Sequence, residues 1–146
     1  MRETREGPRG PTVSRRAFAL YFGKFAIAGG LGSLVNTAAL IGLYAYLRLP
    51  LPAASALATE VAIAHNFLWN NYWTFGRRSI SLGRFVRFNL VSLGGQGITV
   101  ATLWLLVRYA GIYFVIANLT AIGLALMWNF AANLHWTWGS ACDPKR

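Results

Sequence analysis

The sequence predicts an all-α integral membrane protein, with four transmembrane helices arranged as two tandem parallel hairpin repeats. Three observations predict it. The 146 residues are 55% hydrophobic and only 12% charged, where soluble domains carry about 25% charged residues. Four apolar stretches are each long enough to cross a bilayer. The second pair of stretches repeats the first at a fixed offset of 63 residues.

The four stretches follow in order. The first runs from Phe22 to Leu47, interrupted only by Lys24, Ser33, Asn36 and Thr37. About 20 helical residues cross the ~30 Å hydrocarbon core. Arg48, Pro50 and Pro52 then break the helix. The second stretch runs from Leu51 to Phe75 and is closed by Gly76, Arg77 and Arg78. The third runs from Phe85 to Val107, before Arg108 and Gly111. The fourth runs from Ile112 to Trp138.

Flanking them, residues 1–17 are expected to form a disordered basic tail and residues 141–146 a short C-terminal tail, leaving a membrane domain over 18–140. The apolar run after Arg15 and Arg16 reaches full spanning length, longer than the apolar core of a cleaved signal. Cys142 is the single cysteine, so no internal disulfide or cysteine-based metal site is available.

Charge predicts the orientation. The net charge is +10, yet the basic residues cluster between apolar stretches, so nucleic acid is not an expected partner. Twelve of the fourteen lie in the N-terminal segment, the loop between stretches two and three, and the C-terminus; the other two are Arg48 and Arg108. The positive-inside rule then places both termini and the central loop in the cytoplasm, in a multi-pass protein of the cytoplasmic membrane. Trp69, Trp73, Trp128, Trp136 and Trp138, with Tyr72, fall at the cytoplasmic ends of stretches two and four, as an interfacial belt would.

The repeat pairs residues 22–75 with 85–138 without a gap, and roughly 15 of the 54 aligned pairs are identical. Phe22 meets Phe85, Gly32 meets Gly95, Asn66 meets Asn129, Asn70 meets Asn133 and Trp73 meets Trp136. Each copy holds two spans, so both enter from the same side, related by a pseudo-twofold axis along the membrane normal.

Candidate functional residues follow from polarity where lipid is the solvent. Asn66, Asn70 and Trp73 share one helix face, as do Asn129, Asn133 and Trp136. Amides in hydrocarbon must find partners, so both faces should turn inward. They serve either to lock the hairpins together or to floor a site for an anionic headgroup; the two roles are compatible. Asn36, after Gly29, Gly30, Gly32 and Ser33, and Gln96, among Gly94, Gly95 and Gly97, are further polar candidates, beside small residues that permit close helix packing. Glu60 is the one acid within a span, about 13 Å past Leu51. It is a candidate for proton coupling or for a structural acid, neutral or paired with an arginine, with Arg48 and Arg108 able to reach it from the outer side. Lys24, Arg77, Arg78, Arg84 and Arg87 ring the cytoplasmic mouth, where arginine suits lipid phosphate as well as orientation. No P-loop, metal-ligand cluster or carboxylate pair occurs, so neither catalysis nor a cofactor is expected.

Two segments resemble the GtrA-like family of small four-helix membrane proteins. Phe22-Gly-Lys-Phe-Ala-Ile-Ala-Gly29, followed by Asn36, is similar to its opening pattern. Asn66-Phe-Leu-Trp-Asn70-Asn-Tyr-Trp-Thr-Phe75 is similar to its second-helix signature. The resemblance covers Phe22 to Trp138. Members often place a basic residue after the second asparagine, where this chain has Asn71. The resemblance implies translocation of a polyprenyl-phosphate-linked sugar for cell-surface polysaccharide synthesis or glycosylation, beside a membrane glycosyltransferase. An accessory protein that recruits or orients that enzyme without moving lipid is the alternative. A small multidrug-type exporter also has four spans and one acid, but carries the acid in its first helix. A homo-oligomer fits four helices that enclose little volume.

Overall fold

The structure is a computed structural model that describes residues 15–139. The two expected tails lie outside these residues, except that Arg15 to Ala17 are helical and open the first helix. All the regular structure among the described residues is helical. Helix α1 spans Arg15–Ile41 and runs on through a widened turn, Gly42–Tyr46. Helix α2 spans Leu51–Trp69, with a widened turn at Asn70–Thr74. Helix α3 spans Leu82–Arg108. Helix α4 spans Phe114–Ala132, with a widened turn at Asn133–Thr137.

The breaks fall where backbone chemistry dictates. Pro50 caps α2 in an extended conformation and Pro52 lies in its first turn, where a missing N–H costs nothing. Gly111, in the α3–α4 connection, adopts a left-handed backbone (φ 64°), which glycine supplies without strain. At the equivalent place in the α1–α2 connection stands Arg48, at φ 54°. A side-chain-bearing residue pays about 1–2 kcal/mol there.

Three segments are long and apolar enough to cross a membrane, by length and composition: Arg15–Tyr46, Leu82–Arg108 and Phe114–Thr137. The protein is therefore a multi-pass membrane protein. Helix α2 is the exception, because Glu60, His65, Asn66, Asn70 and Asn71 lower its hydropathy.

Helices α1 and α2 pack as one hairpin and α3 and α4 as another. Small residues make the close approach. Ala54, Ala58 and Ala62 are buried along α2, at one residue per turn, and Ala28 and Gly32 are buried along α1. Ala117, Ala121 and Ala125 are buried along α4 in the same way, and Val91 and Gly95 along α3. In hydrocarbon no hydrophobic effect drives helices together, so van der Waals fit and polar contacts hold them.

The hairpins join at the end carrying the α2–α3 loop, termed here the basic end. An aromatic core of Phe25, Phe67, Phe75, Phe88, Phe130 and Trp138 fills the junction, with Ile63 and Leu134. Trp138 stacks on Phe75 with ring centroids 4.3 Å apart and meets Phe88 edge-on at 5.5 Å. Its exposure is only 1%. This corrects the belt expectation for Trp138, which closes the core, while Trp69, Trp73, Trp128 and Trp136 are exposed. The physical reason is position: Trp138 lies just past the end of α4, where the chain can fold back between the hairpins.

Candidate functional site

The asparagine stripes turn inward, but their members do different work. Asn70 and Asn133 are spent on their own helices. Asn70 Nδ2 donates to the Asn66 carbonyl at 2.8 Å, and Asn70 Oδ1 accepts from Thr74 Oγ1 at 2.9 Å. Asn133 Nδ2 donates to the Asn129 carbonyl at 2.8 Å, and Oδ1 accepts from Thr137 Oγ1 at 2.7 Å. Both helices widen at these residues, where the side chain competes for the carbonyl four residues back. The backbone then closes through Phe75 N–H to Asn70 O and Trp138 N–H to Asn133 O, each at 2.9 Å.

Asn66 and Asn129 wedge into the hairpin interfaces. A Cβ on Gly32 would sit 2.5 Å from Asn66 Cγ, and one on Gly95 would sit 2.8 Å from Asn129 Cγ. Only glycine leaves room for these amides.

Above them lies a cleft of about 620 Å³ lined by all four helices. Asn36, Asn66, Gln96 and Asn129, four of the candidates named from sequence, share its wall. Small residues, including Gly29, Gly30 and Gly95, provide the space. The hydroxyls in the wall are satisfied by their own helices: Ser33 donates to Gly29 O, Thr37 to Ser33 O, Thr59 to Ser55 O and Thr99 to Gly95 O. The amides are not all satisfied. Asn36 Oδ1 and Asn129 Oδ1 are buried without a hydrogen-bond partner among the described residues. An unpaired buried acceptor costs about 1–3 kcal/mol, a cost that a hydrogen-bond donor entering the cleft would relieve. Asn70 and Asn133 lie outside this wall, in the layer beneath it.

The basic candidates separate as well. Lys24 Nζ donates to the Trp73 carbonyl at 3.4 Å and sits 5.5 Å from the centre of the Trp73 ring. Arg87 Nη1 donates to the Trp136 carbonyl at 3.3 Å, with its guanidinium 5.9 Å from that ring. Each cation thus caps the C-terminal end of the second helix of its own hairpin, where helix carbonyls favour positive charge. Arg84 braces the α2–α3 loop, donating to Asn71 Oδ1 at 2.9 Å and Ser79 O at 2.6 Å. Arg77 is half-buried and its Nε lacks a partner among the described residues. Arg78 is exposed beside it.

Two residues were missed in the sequence. Asn71 is fully buried. It accepts from Arg84 and, at 3.5 Å, from the Trp138 indole N–H, and donates to Ser79 O at 3.2 Å. One side chain thereby ties the end of α2, the loop and the end of α4. Asn89 is the second. Its Nδ2 donates to Glu60 Oε2 at 2.8 Å across the α2–α3 seam. The expectation that Arg48 or Arg108 reaches Glu60 is corrected: no ion pair involves Glu60 among the described residues, and the carboxylate is exposed, not buried. Both arginines lie at the helix ends, about 13 Å or more along the axis from it. The spacing of Asn89, Ser92 and Gln96 on one face of α3 was the available signal.

No cluster of three metal-binding side chains occurs among the described residues. A second cavity, about 870 Å³ and almost wholly apolar, lies between α3 and α4 toward the opposite end, beside Trp104, Arg108 and Phe114.

A protein of Pyrococcus furiosus named dolichol-phosphate mannosyltransferase is 36% identical over 119 residues. The match takes in 80% of this chain and 33% of that protein, so the chain spans about one third of the relative's length. The model of the GtrA/DPMS transmembrane domain matches residues 24–138, from the Lys24 cap to the Trp138 plug. The chain therefore belongs to the GtrA/DPMS transmembrane domain family.

Proposed function

We propose that this chain moves a polyprenyl-phosphate-linked sugar across the cytoplasmic membrane, supplying cell-surface polysaccharide synthesis or glycosylation. The observation that carries the proposal is the polar cleft inside an apolar bundle, with unpaired acceptors at Asn36 and Asn129. A polar cavity among membrane helices has a cost that a polar cargo offsets. Its size suits a sugar headgroup, and the apolar helix faces suit the polyprenyl tail.

In this reading all four helices span. Helix α2 with its widened turn, Leu51–Thr74, is about 36 Å long and packs along α1, itself apolar enough to cross. The hairpins are tandem copies, supported by the paired Gly32–Asn66 and Gly95–Asn129 contacts and the paired widened turns. The basic end faces the cytoplasm. There Arg77 and Arg78 meet the lipid phosphate, since Lys24, Arg84 and Arg87 already hold protein carbonyls or amides. Asn36, Asn66, Gln96 and Asn129 meet the sugar in the cleft. Asn70 and Asn133 hold the floor. The chain itself makes no glycosyl bond and works beside a membrane glycosyltransferase.

Reconstitution tests this. Purified chain in liposomes is expected to speed the crossing of a labelled short-chain polyprenyl-phosphate hexose at least tenfold over protein-free vesicles. Equal rates reject transport. The mannosyltransferase name of the Pyrococcus relative supports a second reading, in which the chain only anchors or orients a glycosyltransferase. That reading expects no crossing, but faster glycosylation when the enzyme is co-reconstituted with the chain.

A further inference from the structure

The cleft has two seams between the hairpins, and they are chemically unlike. At the α2–α3 seam its wall includes Thr59 and Gln96; at the α1–α4 seam the residues 63 positions away are Ile122 and Ser33. Beside the first seam lies the Glu60–Asn89 hydrogen bond. The equivalent positions at the second seam are Gly123 and Ala26. Aromatic contacts close both seams at the basic end, Phe22 and Phe25 against the Phe130 ring and Phe85 and Phe88 against the Phe67 ring, and Phe18 adds a third contact at the α1–α4 seam only.

On α3, Asn89, Ser92 and Gln96 share one face, and the latter two line the cleft. On α2, Thr59 lines the cleft and Glu60 is the next residue. The Glu60–Asn89 pair thus continues the polar wall out to the molecular surface at one seam only. Among the described residues, three hydrogen bonds cross between the hairpins: two end on Asn71 near the loop, and the third is this pair.

An exposed carboxylate within a membrane-spanning helix is expensive and is retained for function. The Asn89 bond occupies one of its two oxygens, Oε2. The ligand it suits is neither phosphate, which it repels, nor an acyl chain. A carboxylate accepts hydrogen bonds from neighbouring hydroxyls while an amide both donates and accepts, so the pair matches a neutral polyhydroxylated group. We infer that the α2–α3 seam is the lateral port of the cleft, and that Glu60 and Asn89 form a site for the sugar hydroxyls of the lipid cargo there. This rests on the transport reading above for the identity of the cargo. It adds which seam admits it and which residues distinguish sugar-bearing from bare lipid.

The test uses full-length chain in vesicles, with two labelled lipids: a polyprenyl-phosphate hexose and the same polyprenyl phosphate without sugar. E60A and N89L are expected to slow the hexose lipid about tenfold or more while leaving the bare lipid within about twofold, since a lost charge-assisted hydrogen bond is worth at least that factor. E60Q, which keeps a hydrogen-bonding group, is expected to fall between. G123A, at the other seam, is expected to leave both lipids unchanged. Equal slowing of both lipids, or no change in either, overturns the inference. A second readout is independent of transport. A hexose lipid carrying a diazirine on the sugar is expected to crosslink to α2 and α3 around Glu60 and Asn89, with excess hexose lipid competing. Crosslinks mapping instead to α1 and α4 around Ala26 and Gly123 overturn it. Wild-type vesicles that move neither lipid, yet crosslink at Glu60 and Asn89, sink the transport reading and uphold the site.

Discussion

Replacing Asn71 with leucine tests whether one amide holds the two hairpins together at the basic end. Leucine is the residue at the equivalent position of the second hairpin, Leu134, and has the same branching and number of heavy atoms. The change removes four contacts, of which the 3.5 Å bond to the Arg77 carbonyl is long and contributes little. Arg84 loses its 2.9 Å bond but keeps Ser79 O at 2.6 Å, so this loss lies near the lower end of the range for charged bonds, about 1.5 kcal/mol. The Trp138 N–H is left buried without an acceptor; its bond is long, at 3.5 Å, so its loss costs about 1 kcal/mol. Ser79 O lies near the surface, where water replaces the amide, and adds little. Leucine returns part of this through apolar contact with the aromatic core. The expected net destabilisation is about 2 kcal/mol. Denaturant titration of the purified chain in mixed micelles, read by tryptophan fluorescence and far-UV circular dichroism, measures it. A shift below about 0.5 kcal/mol would refute the role given to Asn71, because surface substitutions fall in that range.

Trp138→Ala is expected to destabilise by about 3 kcal/mol or more, because it empties a stacked, fully enclosed site, whereas Trp136→Ala, at a residue 49% exposed, costs less than about 1 kcal/mol in the same titration. Gly95→Ala pushes a methyl group into the Asn129 amide and is expected to cost about 1–3 kcal/mol, while Gly97→Ala, with open space at its Cβ, costs nothing measurable. Asn36→Leu separates stability from function: it removes an unpaired buried acceptor, so the unfolding midpoint holds or rises while crossing of the hexose lipid falls about tenfold. A lowered midpoint with full transport would show that Asn36 is structural.

Much of the architecture was legible in sequence. The helix boundaries follow from apolar length and from breakers such as Pro50, Gly76 and Gly111, which act locally. The inward turn of Asn66 and Asn129 was legible because two copies of one stripe, 63 residues apart, carry the same uncommon residues. The distinct duties of neighbouring asparagines were not legible. Asn66 and Asn70 look alike on a helical wheel, yet one faces the cleft and the other bonds within its own helix. Asn71 and Glu60 were harder, since both break the repeat and their partners come from the other hairpin.

Composition and periodicity alone therefore determined that this chain belongs in a membrane, where its helices break, and which faces avoid lipid, though α1 begins at Arg15, ahead of the expected Phe22. These are consequences of solvent and of 3.6-residue geometry, which each segment obeys by itself. Only the tertiary structure decided that Trp138 plugs the core, that Lys24 and Arg87 cap helix ends, and that Glu60 meets Asn89. The place of Trp138 and the Glu60–Asn89 bond depend on how two hairpins approach across a gap, and the two caps on how the helices of one hairpin pack, distances that no single helix encodes. Contacts between residues 29 to 67 positions apart arise only once that approach is made.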